Sequence, residues 1–235
     1  MTLAIVSAMH EELSAVLALM PDERKVEVAG RSFWRGHLHG QEVVAVLSRI
    51  GKVAAAITAT VLIERFGVRQ IVFTGVAGGL GPGVKVGDVV VADSFLQHDL
   101  DASPIFPRYE VPLYGVSRFA TDAALTARLL DAARLALPGA GLHKGLVISG
   151  DRFVSTTAEA LALQSLLPEA LAVEMEGAAI AQVCHDYGVA YAAVRTVSDR
   201  ADDAAHGDFV GFVEQVASRH SAHIVQALLS QSAKG

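Results

Sequence analysis

Short apolar runs rich in β-branched residues recur along this 235-residue chain, at 3–8, 43–47, 70–74, 89–92, 145–149, 171–173 and 189–197. They show little polar alternation, so each reads as a strand covered on both faces. Such strands need a helical layer above and another below. Helical patterns fill the intervals, at 11–20, 53–66, 122–137, 158–167, 177–187 and 209–230, and Gly67 and Gly188 each stand between a helix and the next strand as C-terminal caps do. Only 32–38 alternates, and it meets Val43 across a short turn at 39–41, which predicts an antiparallel hairpin. The expected fold class is α/β, a three-layer α/β/α sandwich with a central mixed β-sheet, formed as one domain over residues 1–235. The stretch 95–115 carries Pro104, Pro107 and Pro112 among aromatics and keeps neither period; it reads as a long ordered loop of the functional kind.

Composition narrows the partners. With 52% hydrophobic and 19% charged residues, the chain can bury a large core and is not disordered. A net charge of −6 argues against a nucleic-acid partner, which needs clustered cations. The longest uncharged run, 70–84, holds five glycines and falls short of the ~20 residues that a membrane span needs. The opening MTLAIVSAMHEE lacks the basic start of a secretory signal, so a cytoplasmic location is expected. The single cysteine, Cys184, excludes an intrachain disulfide and falls on an apolar helical stripe with Ile180 and Ala181. The pairs His37/His39 and His220/His223 have no acidic residue at a spacing that completes a site, so no metal is expected.

Two glycine motifs fail as nucleotide loops. Segment 74–88 matches G-x-G-x-x-G in no register, and in SRIGKVAAA (48–56) residue 53 is Val and residue 46 is not Gly. Gly75, Gly78 and Gly79 follow what reads as a strand end, where they either form a tight turn or let the backbone approach a ligand. Carboxylates say more. Glu11 and Glu12 follow the first strand, Glu174 and Glu176 close another and open a helix, and Asp199 leaves a third beside Ser198. In a parallel sheet these strand ends share one edge. One acid per helix start can be a partner for the helix dipole; that explains neither the Glu174–Met175–Glu176 pair nor Asp199. Crowded carboxylates in a desolvated cleft raise one another's pKa, which suits glycoside-type hydrolysis by a proton donor and a water activator.

These residues carry a resemblance. AMHEE (8–12), SRIGKVAAA (48–56), TGVAGGL (74–80), GDRFVS (150–155), VEMEGAAIAQVC (173–184) and VRTVSDRAD (194–202) resemble, in order, the signature segments of the 5′-methylthioadenosine/S-adenosylhomocysteine nucleosidase family. The resemblance implies a nucleoside phosphorylase-like fold, a homodimer, no cofactor, and a small-molecule adenine nucleoside as partner. The implied activity cleaves 5′-thio-substituted adenosines, in methionine salvage and recycling of S-adenosylmethionine by-products. It further implies that Asp199, held by Ser198, protonates adenine N7, that Glu12 activates water, and that Glu176 binds a ribose hydroxyl. Phe153 would stack on adenine, the Val154 backbone would read the base edge, and Met175 would pack beneath the ribose near Gly78. Met9, Ile50 and Phe209 would line the site, Arg195 would orient a glutamate, and Ala77 and Glu174 complete the substrate-binding set.

The sequence departs from the family pattern at Val76, where many relatives carry Ser, at Arg49, where a small residue is frequent, and over 98–112. The resemblance implies that this last segment contributes to the 5′ pocket across the dimer. Two alternatives stand beside hydrolysis. A phosphate-dependent purine nucleoside or methylthioadenosine phosphorylase needs cations around its anion; the carboxylates of Met9–His10–Glu11–Glu12 oppose this, and Arg49 favours it. A non-catalytic nucleoside-binding protein has no use for a water-activating base.

Overall fold

The computed structural model describes residues 2–202, 212 and 216–232. In it β1 (Leu3–Ser7) lies between β4 (Gln41–Leu47) and β5 (Gln70–Gly79), parallel to both. Its side chains alternate between two cores. Ala4 and Val6, with Val44 and Val46 of β4, join the core that holds α2 (Lys52–Phe66) and α5 (Gly177–Tyr187). Leu3 and Ile5, with Val43 and Ala45, join the core that holds α1 (His10–Leu17), α3 (Ala123–Ala136) and α6 (Ser218–Ser232). Burial on both faces is why these strands show no polar alternation. The architecture is the α/β arrangement expected, a mixed sheet between helical layers.

The sheet has ten strands, in the order β10 (Ala190–Asp199), β6 (Val89–Gln97), β8 (Leu142–Ser149), β9 (Ala170–Glu174), β5, β1, β4, β3 (Arg31–Leu38) and β2 (Arg24–Val28), with β7 (Arg118–Ala120) on β6. Strand β10 also pairs with β5, so the first five close into a ring. Beyond the ring, β3 and β4 form the expected hairpin, Leu38 facing Gln41 across His39 and Gly40 at positive φ. On the other side α4 (Thr157–Leu166) sets Ala160 against Leu146 and Ile148 of β8.

The structure corrects the sequence reading in four places. Strand β5 does not end at Thr74 but runs to Gly79, so the glycines lie within a strand. Strand β6 continues through Phe95, which is buried against Tyr191, and the long loop begins only at His98. Strand β9 is antiparallel to β5, with Gly78 opposite Val173, so the carboxylates do not share the edge of a parallel sheet. Two strands went unpredicted: β2, whose RKVEV is almost wholly exposed, and the three-residue β7. The last expected helix, 209–230, is described from Ser218. No helix among the described residues is long and apolar enough to cross a membrane.

Candidate active site

Closure of the ring makes the site. At Gly78 of β5, one neighbour is Val173 of β9, arriving from the opposite direction, and the other is Asp199 of β10. A side chain at Gly78 would press on Ala201 at 2.9 Å and on Asp199 Oδ1 at 3.1 Å, and one at Gly75 would lie 2.6 Å from Arg195 Nη1. Neither a turn nor a phosphate loop demands these glycines. They leave space inside a strand for the functional side chains of its neighbour.

Glu174 and Arg195 form the buried foundation, with Arg195 Nη2 2.6 Å from Glu174 Oε2. Glu174 also accepts the amides of Glu176 at 3.1 Å and Gly177 at 2.8 Å, and the hydroxyl of Ser149. Glu174 therefore caps α5 from two residues before its N-cap residue, Glu176. Arg195 lies 3.7 Å over the Phe73 ring. Burial works against its charge, but Glu174 and the other acids nearby raise its pKa above the ordinary value. Two of its donors, Nε and Nη1, are buried without a partner.

Glu176 is the N-cap residue of α5, yet its side chain caps nothing. Its Oε1 accepts the Gly51 amide at 2.9 Å, from the β4–α2 junction. Burial, and then the negative charge of Glu174, push its pKa up to about 7, against the Gly51 amide and Arg195. Glu12 enters from the first turn of α1 and is fully buried. Its Oε2 accepts the Met9 amide at 3.1 Å, and Ser221 of α6 donates to Oε1 at 3.4 Å. Burial raises its pKa to about 7 despite Arg195 and these hydrogen bonds. Asp199 follows a register shift in β10 and is buried. Ser198 Oγ lies 2.7 Å from its Oδ2, and the Ala201 amide donates to Oδ1 at 2.8 Å.

A cavity beside Gly78 is lined by Arg152, Phe153, Val154, Val173, Glu174, Met175 and Asp199. Phe153 and Ile50 are exposed, whereas Val154 is buried. Met9 packs with Val76, Ala217 and Phe212, so the valine at 76 fills an apolar contact. Ala77 faces the core, and only its carbonyl reaches the site, 3.4 Å from Ser198 Oγ. Phe209 lies outside the described residues. Arg49, at φ 64°, turns its guanidinium to the Gly30 carbonyl in the β2–β3 turn. Sequence reasoning missed Ser149, Ser221 and the Gly51 amide. Gly51 lay within a quoted motif, but nothing marked Ser221, 209 residues from its partner. Cys184 is a core residue whose burial pushes the thiol up to about 12. Among the described residues no three His, Cys, Asp or Glu side chains group as a metal site.

Comparison with known proteins places the chain in a family. Residues 2–230 match the phosphorylase superfamily model. A 5′-methylthioadenosine/S-adenosylhomocysteine nucleosidase from Neisseria meningitidis, solved with methylthio-immucillin-A, is 38% identical over 98% of this chain and 99% of its own, with a TM-score of 0.92. The chain belongs to the 5′-methylthioadenosine/S-adenosylhomocysteine nucleosidase family. The Streptococcus pneumoniae nucleosidase, solved with the transition-state inhibitor MT-ImmA, is 34% identical over 97% of this chain and 98% of its own, at TM-score 0.90. A futalosine hydrolase from Helicobacter pylori is 34% identical over 98% and 97%, at 0.91. The fold is thus shared with a hydrolase named for a different substrate.

Proposed function

We propose that this chain hydrolyses the N-glycosidic bond of 5′-thio-substituted adenosines, 5′-methylthioadenosine and S-adenosylhomocysteine among them, to adenine and the 5′-substituted ribose, a methionine-salvage reaction. One observation carries the reading: Glu12 and Glu176 each follow a strand and Asp199 ends one, all three are buried, and Asp199 lines a cavity whose walls include the apolar Phe153, Val154, Val173 and Met175. As the C1′–N9 bond breaks, its electron pair goes to adenine, and Asp199 gives a proton to N7. The Ser198 hydroxyl can donate to or accept from Asp199, so it serves both protonation states. Water adds to C1′ and gives its proton to Glu12, whose pKa of about 7 suits a base at neutral pH. Glu176 accepts a ribose hydroxyl, and its charge favours the cationic sugar. Phe153 and Met175 supply the apolar faces for base and ribose.

Adenine release from 5′-methylthioadenosine, S-adenosylhomocysteine and 5′-deoxyadenosine, with and without phosphate, tests this. Adenine and free 5′-substituted ribose at equal rates in both buffers are expected. A sugar 1-phosphate would move the chain to the phosphorylases. The cations near the site favour water over phosphate: Arg152 is paired with Glu159, and Arg49 is turned to the Gly30 carbonyl.

We further infer one catalytic domain over 1–235, working in the cytoplasm as a homodimer. The support for the dimer is exposed apolar surface beside the site: Ile50, Val53 and Ile57 at the start of α2, and Ile105, Leu113 and Val116 of the long loop, Leu113 at 92%. Light scattering at micromolar concentration should give twice the chain mass; a monomer would refute it.

A further inference from the structure

The start of α2 is built against the usual electrostatics of a helix. Its first residue is Lys52, no acid stands in its first turn, and Gly51 offers no capping side chain. A cation is unfavourable at that end, and the first amides need acceptors. Both amides find carboxylates just beyond other strands: Gly51 N donates to Glu176 Oε1 at 2.9 Å, and Lys52 N to Asp151 Oδ1 at 2.7 Å. The Lys52 ammonium then reaches Asp99 Oδ1 at 2.5 Å and Gln97 Oε1 at 3.1 Å, and Asp99 Oδ2 accepts the Asp151 amide at 2.9 Å.

These contacts close a ring, from Lys52 through Asp99 and Asp151 back to Lys52. It ties the exits of β4, β6 and β8 to one another. Although burial opposes it, the Lys52 ammonium and the Asp151 amide hold the Asp99 carboxyl below its usual range. Gln97 extends the network to Gln182 of α5, at 2.9 Å. Gly51 has φ 94° and ψ 158°, a conformation open to glycine, and a side chain there would meet Asp151 Oδ1 at 3.1 Å. The ring thus fixes a backbone amide that reaches Glu176 from 125 residues away, and Asp151 stands two residues before Phe153.

We propose that Lys52, through Asp99 and Asp151, is a positioning residue for glycosidic cleavage: it holds the Gly51 amide on Glu176, so that the carboxylate meets the ribose hydroxyl in one orientation. Lys52 itself does not touch substrate. This rests on the assignment of Glu176 to the ribose, and the test separates the two. The Lys52→Met, Asp99→Asn and Glu176→Gln proteins are compared on 5′-methylthioadenosine and on its 2′-deoxy and 3′-deoxy analogues.

Glu176→Gln identifies the hydroxyl that Glu176 reads, as the one whose removal makes the substitution nearly harmless. Lys52→Met should lower kcat/KM about tenfold on the full riboside, the value of one well-placed hydrogen bond to a charge. On the deoxy analogue so identified, the loss should shrink to about twofold. Asp99→Asn, which breaks the ring with almost no change of shape, should reproduce the pattern. It decides the matter if Lys52→Met fails to fold. Equal losses on both nucleosides, or none, would show a merely structural ion pair and overturn the proposal. Equal losses for Glu176→Gln on all three nucleosides would instead overturn the ribose assignment, and the positioning role with it.

Discussion

Glu174 and Glu176 stand two residues apart at the mouth of β9, both buried, yet they belong to different regions of the molecule. Glu174 lies in the foundation, where Arg195, Ser149 and two backbone amides satisfy its oxygens. Glu176 has fewer donors, with the Gly51 amide reaching it from a distant loop, and its pKa is raised to about 7. Glu12 belongs with Glu176: it is buried and sparsely bonded, and its pKa is about 7, like that of Glu176. The difference teaches how the fold divides its acids. A carboxylate with a full set of donors holds backbone in place. One buried with few donors keeps a high pKa and free lone pairs, and these are what a reacting substrate can use.

The sharpest break in that comparison is activity without Glu12. Glu12→Gln keeps the size of the side chain but cannot take a proton from water, so turnover should fall about 10³-fold. Nucleoside binding measured by calorimetry should change little, since water activation belongs to the chemical step. A loss of binding equal to the loss of turnover would make Glu12 a binding residue.

Stability should divide the acids the other way. Glu174→Gln leaves the buried Arg195 charge uncompensated and should cost roughly 3–5 kcal/mol in denaturant melts. Glu12→Gln should stabilise at pH 8, because a carboxylate raised to about 7 in the folded state is forced to ionise there. The sign follows from linkage. The raised pKa favours folding below about 4.5, and that contribution is lost as the pH rises through 7, so the gain from Gln should appear at pH 8 and vanish near pH 4. Equal destabilisation by both substitutions would erase the distinction between foundation and cleft.

Asp199→Asn tests the proton donor. Asparagine keeps the shape and can donate a hydrogen bond but cannot transfer a proton, so turnover on adenine nucleosides should fall on the order of 10²-fold. The loss should shrink with a riboside whose activated aryl leaving group departs unprotonated, while Glu12→Gln stays impaired on that substrate. Equal losses for Asp199→Asn on both substrates would leave Asp199 as a base-positioning residue.

The sequence carried much of this division, for identifiable reasons. Strands such as 3–8 and 43–47 were legible because two-sided burial leaves unbroken apolar runs. Acids directly after such runs stood out by contrast. What could not be read was relative strand direction. The antiparallel approach of β9 to β5 is a long-range pairing, Gly78 with Val173, with no local trace, and it turns a presumed parallel edge into a closed ring. The glycines of 75–79 were legible as tight places but not as places inside a strand, because the side chains they admit come from β10. Glu174 lines the cavity, but its partners Ser149 and Arg195, 25 and 21 residues away on other strands, could not be read locally.

The mildest test concerns the donors of Glu12. Ser221 reaches Glu12 Oε1 at 3.4 Å, a long hydrogen bond, and it favours the charged carboxylate. Ser221→Ala should therefore raise the Glu12 pKa slightly above its value of about 7. The working form of Glu12 as a base is the ionised one, so the acid limb of the kcat profile should move to higher pH. The expected loss is about twofold near pH 6, fading to nothing near pH 9, where Glu12 is ionised in either protein. The same factor lost at every pH would mean that Ser221 serves by seating α6 against α1. In that case the sparse bonding of Glu12 would be a matter of packing, and the contrast with Glu174 would rest on Glu176 alone.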